Sequence, residues 1–233
     1  MAYKKKLVVL TGAGISAESG VATFRDSGGL WEGHNVMDVA SPEGWRRDPK
    51  LVLEFYNKRR QQLHSVQPHT GHFILAELES DFDVHIITQN VDNLHERAGS
   101  TKILHLHGEL LKVRSVADPD FILNWEHDLL ETDTDNHANP LRPHIVWFGE
   151  AVPALEEAID ISAAADIFVV VGTSLQVYPA AGLMDFTADG VPVYYIDPNP
   201  ARIINLGPRL TVIPKVASEG VSTLRELLLK PEK

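Results

Sequence analysis

Four short stretches of the chain are almost wholly apolar and stop abruptly in polar or glycine-rich sequence: residues 6–10, 84–88, 167–171 and 191–196. A strand with one face in water alternates apolar and polar positions, so unbroken runs predict strands buried on both faces, as in a parallel sheet. Helical spacing of apolar residues separates them at 51–63, 69–79 and 154–163, and a shorter helix is predicted at 93–98. Strands alternating with helices specify a doubly wound sheet, whose ligands sit at the carboxyl ends of the strands. Those ends read Thr11-Gly12-Ala13-Gly14, Gln89-Asn90-Val91-Asp92, Gly172-Thr173-Ser174 and Asp197-Pro198-Asn199. All four are predicted to face one crevice.

Two stretches break the alternation. Residues 24–49 are rich in Gly, Asp and Pro and read as a long loop over the crevice, and loops of that length are usually functional or disordered. Residues 112–143 have few periodic positions and a cluster of acids (Glu126, Asp128, Glu131, Asp133, Asp135), which reads as a small inserted subdomain. The expected class is therefore α/β, a Rossmann-like doubly wound parallel sheet with a small insertion. One domain covers 1–233: a large part at about 1–30, 66–111 and 144–233, a helical and loop insertion at about 31–65, and the subdomain at about 112–143.

Composition narrows the function. At 233 residues, 44% hydrophobic and 23% charged, the chain is an ordinary globular length and mixture. No apolar run approaches the ~18–20 residues that cross a bilayer, and Lys4-Lys5-Lys6 leads into a strand and glycines instead of a secretory segment, so no membrane role and a cytoplasmic location are expected. A net charge of −11 argues against nonspecific nucleic-acid binding, which needs a basic face. The chain has no cysteine, which excludes disulfides, thiolate catalysis and cysteine-ligated zinc.

At the first strand end, Gly12-x-Gly14-x-x-Ala17 meets a relaxed dinucleotide fingerprint, in which a helix N-terminus with unpaired N–H groups receives phosphate. A structural strand–helix turn with no ligand reads the same way. In His105-Leu106-His107-Gly108 the period-2 spacing places both histidines on one strand face, and Gly108 is expected to leave room beside His107. Tyr56 and Arg59, three apart on a predicted helix, share a face, where a phenol and a guanidinium together can bind a carboxylate.

In order along the chain, Gly12-Ala13-Gly14-Ile15-Ser16, Thr23-Phe24-Arg25, Thr88-Gln89-Asn90-Val91-Asp92, His105-Leu106-His107-Gly108, Val146-Trp147-Phe148-Gly149 and Gly172-Thr173-Ser174 resemble the motifs of the sirtuins, over residues 6 to about 221. The resemblance implies an NAD-dependent protein-lysine deacylase. Gly12, Ala13, Gly14, Ser16, Ala17 and Gly20 would then form the diphosphate turn, and Thr23, Phe24 and Arg25 the loop that closes over the nicotinamide, with Trp31 similar to a family loop aromatic. Gln89, Asn90 and Asp92 would address the nicotinamide ribose and amide, although Asp92 also reads as a helix cap. His107 would be the general base, with Asn90 beside it and His105 structural. Gly172, Thr173 and Ser174 would hold the adenosine side. Asp197 and Asn199 depart from the family pattern there, and Ala217 is placed against the adenine edge by position alone. Val146, Trp147, Phe148 and Gly149 would seat an acyl-lysine peptide as an added strand.

The Tyr56-x-x-Arg59 pair resembles that of the sirtuin subclass removing succinyl, malonyl or glutaryl groups, with Ala40 the small residue that makes space. Most sirtuins hold the small subdomain with one zinc on four cysteines. Here Ser115-Val116-Ala117-Asp118 and Asp135-Asn136-His137-Ala138 stand near those positions. His127, Asp128, Asp133 and His137 read either as an oxygen–nitrogen metal site or as a solvated surface, and a zinc-free subdomain packed around Phe121, Ile122, Leu123, Trp125 and Leu129 is expected. The implied products are lysine, nicotinamide and O-acyl-ADP-ribose, from a monomer. A deacetylase-dominant sirtuin, a protein ADP-ribosyltransferase, an NAD-dependent dehydrogenase and a noncatalytic NAD or acyl-lysine binder remain alternatives.

Overall fold

The computed structural model describes residues 3–21, 30, 31, 33–203 and 205–230. Its elements run β1 (Lys6–Thr11), the one-turn helix α1 (Gly14–Ala17), a ribbon of β2 (Leu30–Trp31) and β3 (His34–Asn35), then helices α2 (Val36–Val39), α3 (Pro42–Arg47), α4 (Pro49–Ser65) and α5 (Thr70–Glu77). They continue with β4 (Asp83–Thr88), α6 (Leu94–Ala98), β5 (Ile103–His105), β6 (Gly108–Ser115), β7 (Ile122–Asn124), β8 (Leu141–Ile145) and α7 (Leu155–Ala163). The chain closes with β9 (Ile167–Val171), β10 (Val193–Ile196), β11 (Leu210–Ile213) and α8 (Ala217–Leu228).

Six strands form a parallel sheet in the order β11-β10-β9-β1-β4-β5. The unbroken apolar runs follow from cover on both faces. Leu7 and Val9 enter a core with Ile74, Leu75, Val221 and Leu224 of α5 and α8, while Val8 and Leu10 enter a second core with Ala158 of α7 and Phe168. The chain leaves β1 toward β4 and returns on its other side at β9, so the strand order reverses between β1 and β9. At such a switch point the loops diverge and open a crevice at the carboxyl ends. The doubly wound, Rossmann-like α/β class holds.

The differences are local. The fourth strand begins at Val193, after Pro192, which donates no ladder hydrogen bond. β5 and β11 were missed because three and four residues give too little pattern. The predicted 24–49 loop contains α2 and α3 in its described part. Both helices are capped from the sequence: Asn35 Oδ1 accepts from Met37 N (2.9 Å) and Ser41 Oγ from Gly44 N (2.9 Å). α4 starts likewise, with Asp48 accepting from Leu51 N and Pro49 in its first turn, and it buries Val52, Phe55, Tyr56 and Leu63 along one side.

The insertion is a three-stranded antiparallel sheet, β7-β6-β8. Leu129 packs there with Leu53, Val113 and Leu141, and Phe121 and Trp125 lie against this cluster. Ile122 and Leu123, expected in that packing, are 42% and 38% exposed because β7 is an edge strand.

Candidate active site

The glycine turn after β1 packs against the glycine turn after β9. Gly12 N donates to Val171 O (3.0 Å) and Gly14 N to Gly172 O (2.8 Å), while Ile15 N and Ser16 N close onto Gly12 O and Ala13 O (3.1 Å each). A Cβ on Gly12 would stand 2.7 Å from Thr173 Cβ, and one on Gly14 2.7 Å from Gly172 Cα. The sequence reading assigned these glycines to a ligand's approach. The structure gives them a second reason, the contact of one turn with the other. Ala13 stands at the N-cap of α1 and gives no side-chain cap, since alanine has no acceptor to offer.

Asn90, Asp92 and Ser16 form a buried bridge between the β1 and β4 ends. Asn90 Nδ2 donates to Gly12 O (3.2 Å) and Ser16 Oγ (3.1 Å), and Ser16 Oγ donates to Asp92 (2.9 Å). Asn90 and Asp92 are 8% and 7% exposed. Burial pushes the Asp92 carboxyl above its usual range, against the lowering effect of its bonds from Leu94 N and Ser16. The Leu94 N contact (3.1 Å) is the helix-cap geometry at the start of α6. Gln89 Nε2 reaches Thr173 Oγ1 (3.3 Å), and Gln89 N donates to Thr11 O (2.9 Å).

His105 and His107 both turn toward this segment. His107 lies beyond the end of β5, and its Nδ1 is 3.0 Å from Gln89 O; His105 Nδ1 is 3.1 Å from Asn90 O. A carbonyl only accepts, so in the neutral His107 ring Nδ1 carries the hydrogen and Nε2 the lone pair. Burial lowers the His107 pKa, with the Gln89 bond opposing it. His105 behaves differently. Burial alone would lower it, but its 2.7 Å bond to Glu96 and that residue's charge carry it above its ordinary value. Gly108 is required by its own backbone: its φ is +83°, and a Cβ there would collide with His144 O.

Beneath the site, Thr11 Oγ1 donates to Thr88 Oγ1 (2.8 Å) and lies 3.1 Å from His95 Nε2. The His95 ring stacks edgewise on His72, which meets His69 in the same way. Burial lowers His95 to about 4 and His72 to about 2. This layer of stacked histidines is not legible in the sequence, where isolated histidines carry no signal.

Thr23, Phe24 and Arg25 lie outside the described residues. Trp31 packs on Phe55 (centroids 5.0 Å) and Tyr56 (6.4 Å). The Arg59 guanidinium lies 3.5 Å from the Phe55 ring centroid and 4.6 Å from that of Trp31, beside an open cleft of about 280 Å³ lined by His34, Phe55, Lys58, Arg59 and Gln62. Tyr56 is fully buried and its hydroxyl accepts from Trp147 Nε1 (3.0 Å).

The 146–149 segment follows β8 and is not a ladder strand. Its first three N–H groups are already occupied: Val146 N donates to His107 O (2.9 Å), Trp147 N to Glu150 Oε2 (2.8 Å) and Phe148 N to Ala40 O (3.0 Å). On the far side, Thr173 is buried and its carbonyl accepts from Tyr195 OH (2.9 Å), while Ser174 is half-buried beside it. Asp197 is buried and accepts from Asn199 N (2.8 Å), while the Asn199 side chain is exposed. Gly20 ends the first turn with φ +92°, Ala17 is the last residue of α1, and Ala217 is buried at the start of α8.

Residues 12–179 match the profile of the Sir2 family. The chain belongs to the Sir2 family. It is 54% identical to the NAD-dependent protein deacylase of Helicobacter pylori over 226 residues, covering 97% of this chain and 98% of that one. It is 55% identical to the protein of the same name from Bacteroides thetaiotaomicron (97% and 98% covered) and 44% identical to that of Escherichia coli (95% and 84%). Among solved structures, a Sir2 homologue–NAD complex aligns with a TM-score of 0.83 at 36% identity over 97% of this chain and 91% of that one. A Sir2–p53 peptide–NAD+ complex aligns with 0.81 at 31% identity (96% and 93% covered).

The zinc expected of most Sir2 relatives finds no donor set among the described residues. Ser115 Oγ donates to Asp135 (2.7 Å), whose carboxylate also receives His137 N, Asn139 N and Asn139 Nδ2. Asp128 binds Gln61 Nε2 (2.8 Å), Asp133 accepts from Leu130 N (2.7 Å), and His127 stacks on Trp125. These side chains serve separate contacts and do not converge on a cation position.

Proposed function

We propose that this Sir2-family chain, an NAD-dependent protein-lysine deacylase, acts on succinyl- and malonyl-lysine in preference to acetyl-lysine. The observation that carries the preference is the Arg59 guanidinium, which lines the cleft with the buried Tyr56 hydroxyl behind it. That hydroxyl accepts from Trp147 Nε1, one helical turn from the guanidinium, which is stacked on Phe55 and Trp31. A stacked guanidinium donates through its edge, and a phenol with a guanidinium suits a terminal carboxylate.

The cofactor suits the strand ends on their own chemistry. The uncapped turn at Ala13, the uncharged donors Gln89, Asn90, Thr173 and Ser174, and a neutral imidazole are groups that bind diphosphate, ribose and amide. When bound, NAD supplies an electrophilic ribose carbon and nicotinamide as leaving group. The protein's own work is to hold the acyl-lysine and to manage one proton. His107 accepts it from a hydroxyl at Nε2, because Nδ1–H is fixed on Gln89 O, and its lowered pKa keeps the ring neutral at pH 7. The 146–149 segment bonds directly to the His107 carbonyl, which supports its assignment as the seat for an acyl-lysine peptide. We assign the chain no zinc, because Ser115 and Asp135 satisfy each other. A monomer in the cytoplasm completes the reading.

The test is a panel of acetyl-, succinyl- and malonyl-lysine peptides with NAD, read by mass spectrometry. Arg59→Met is expected to depress desuccinylation about ten- to a hundredfold, from loss of charged hydrogen bonds of ~1.5–3 kcal/mol, and deacetylation far less. Equal losses on both substrates would remove the carboxylate role.

A further inference from the structure

Glu150 lies just past the 146–149 motif, and its carboxylate gathers three partners: Arg142, Arg114 and the Trp147 main chain. Arg142 meets it with both terminal nitrogens (Nη1–Oε1 2.7 Å, Nη2–Oε2 3.1 Å), and Arg114 adds a third contact at 3.2 Å. The same carboxylate accepts from Trp147 N at 2.8 Å, and Glu150 N donates to Trp147 O (3.0 Å), closing the 147–150 turn. Gly149, with φ +90°, supplies the left-handed residue that this turn requires.

Arg142 acts on the same residue from the other side. Its guanidinium lies 3.3 Å from the Trp147 ring centroid and donates to Ile145 O (3.0 Å). Trp147 is 2% exposed, and its Nε1 ends on the Tyr56 hydroxyl. The pair of buried Arg142 with half-buried Glu150 therefore holds Trp147 by its main-chain N–H and by the face of its indole. Arg142 is itself buried, so removal of its carboxylate leaves a charge without compensation, the most damaging way to break such a pair.

We propose that Glu150 and Arg142 are positioning residues: as one unit they set the peptide seat at 146–149 and, through the Trp147 indole, the Tyr56 hydroxyl. The inference rests on the reading of 146–149 as that seat. Neither side chain touches the reacting atoms. Their loss is expected to appear in peptide binding and not in turnover.

In the full-length enzyme, Glu150→Gln should raise the peptide KM about tenfold, with kcat and the KM for NAD within about twofold of the parent, the size expected when positioning slips by a fraction of an ångström. The double variant Arg142→Met with Glu150→Gln should be no worse than Glu150→Gln alone, because the two act as a unit. An unchanged peptide KM, or a fall in kcat and a rise in the NAD KM alongside it, overturns the proposal. If Glu150→Gln does not fold, Arg114→Gln removes one arm of the cluster and must show the same split at smaller size. Phe148→Ala separates the two readings. If 146–149 is not the seat, its peptide KM stays at the parent value. If it is the seat but Glu150 does not position it, Phe148→Ala raises that KM while Glu150→Gln does not.

Discussion

The cofactor side and the small antiparallel sheet are both places where two distant chain segments must be held together, and they solve it by opposite means. On the cofactor side the turns after β1 and β9 meet backbone to backbone, with side chains removed at Gly12, Gly14 and Gly172. In the small sheet one carboxylate, Asp135, ties Ser115 to the 137–139 turn by hydrogen bonds. The first contact tolerates no added atom. The second needs one particular side chain and leaves its surroundings free to vary.

The largest expected effect follows from that contrast. Gly172 has φ +63°, and a Cβ there would overlap Ile15 N and stand 2.8 Å from Gly14 Cα. Gly172→Ala joins backbone strain to a steric conflict that no rotamer can relieve, so a loss of about 4 kcal/mol is expected, lowering Tm by roughly 10 °C. A melting curve within two or three degrees of the parent would show that the turns can separate, and would break the comparison.

The same contrast explains what was legible. Glycine is the one residue that a backbone contact accepts, so Gly12, Gly14 and Gly172 stood out in the sequence, as did the strands around them, which are apolar on both faces. His105 and His107 stood out by their spacing, and their different partners, Glu96 for one and Gln89 O for the other, were not readable. Asp135 looked like one more acid in an acidic loop, since a hydrogen-bonded carboxylate and a solvated one share a letter. Arg142 and Glu150 were passed over for the same reason, charged residues eight apart whose pairing depends on the turn between them. The histidine layer under Thr11 needs three elements, α5, α6 and the loop before α5, to come together before it exists.

Acid should separate the two regions by a smaller margin. His95 is held near 4 by burial, with Glu96 opposing and His105 and His69 adding to the depression, while an unfolded histidine titrates near ~6.5. The unfolded chain then binds more protons between those values, so stability contributed by the neutral ring is complete above ~6.5 and is lost as pH falls toward 4. Asp135 sits below its ordinary range, chiefly through the Ser115 bond and then those from Asn139 and His137, so its contribution persists until pH falls below the usual carboxylate value of ~3.9. Hydrogen exchange from pH 7 to 4.5 should therefore show amides of β1, β4 and α6 losing protection first, with β6 and β8 following by a smaller margin because burial also lowers the partly buried His144 on β8. Earlier loss in β6 and β8 would reverse the assignment.

The smallest effect tests where the small sheet keeps its stability. Ile122 and Leu123 were expected in its core but stand on the edge strand β7, with Ile122 opposite Arg114 and Leu123 opposite Val113. Their exposed surface removes little apolar area from water, whereas Leu129, 1% exposed between Leu53, Val113 and Leu141, removes nearly all of its own. Ile122→Ser and Leu123→Ser should each shift stability by about 0.5 kcal/mol or less, while Leu129→Ala should cost about 3 kcal/mol by transfer and cavity formation together. Denaturant midpoints measured side by side decide the point. If the serine variants lose as much as Leu129→Ala, β7 carries the packing after all, and the Asp135 bonds are then an addition to a hydrophobic core that holds the sheet by itself.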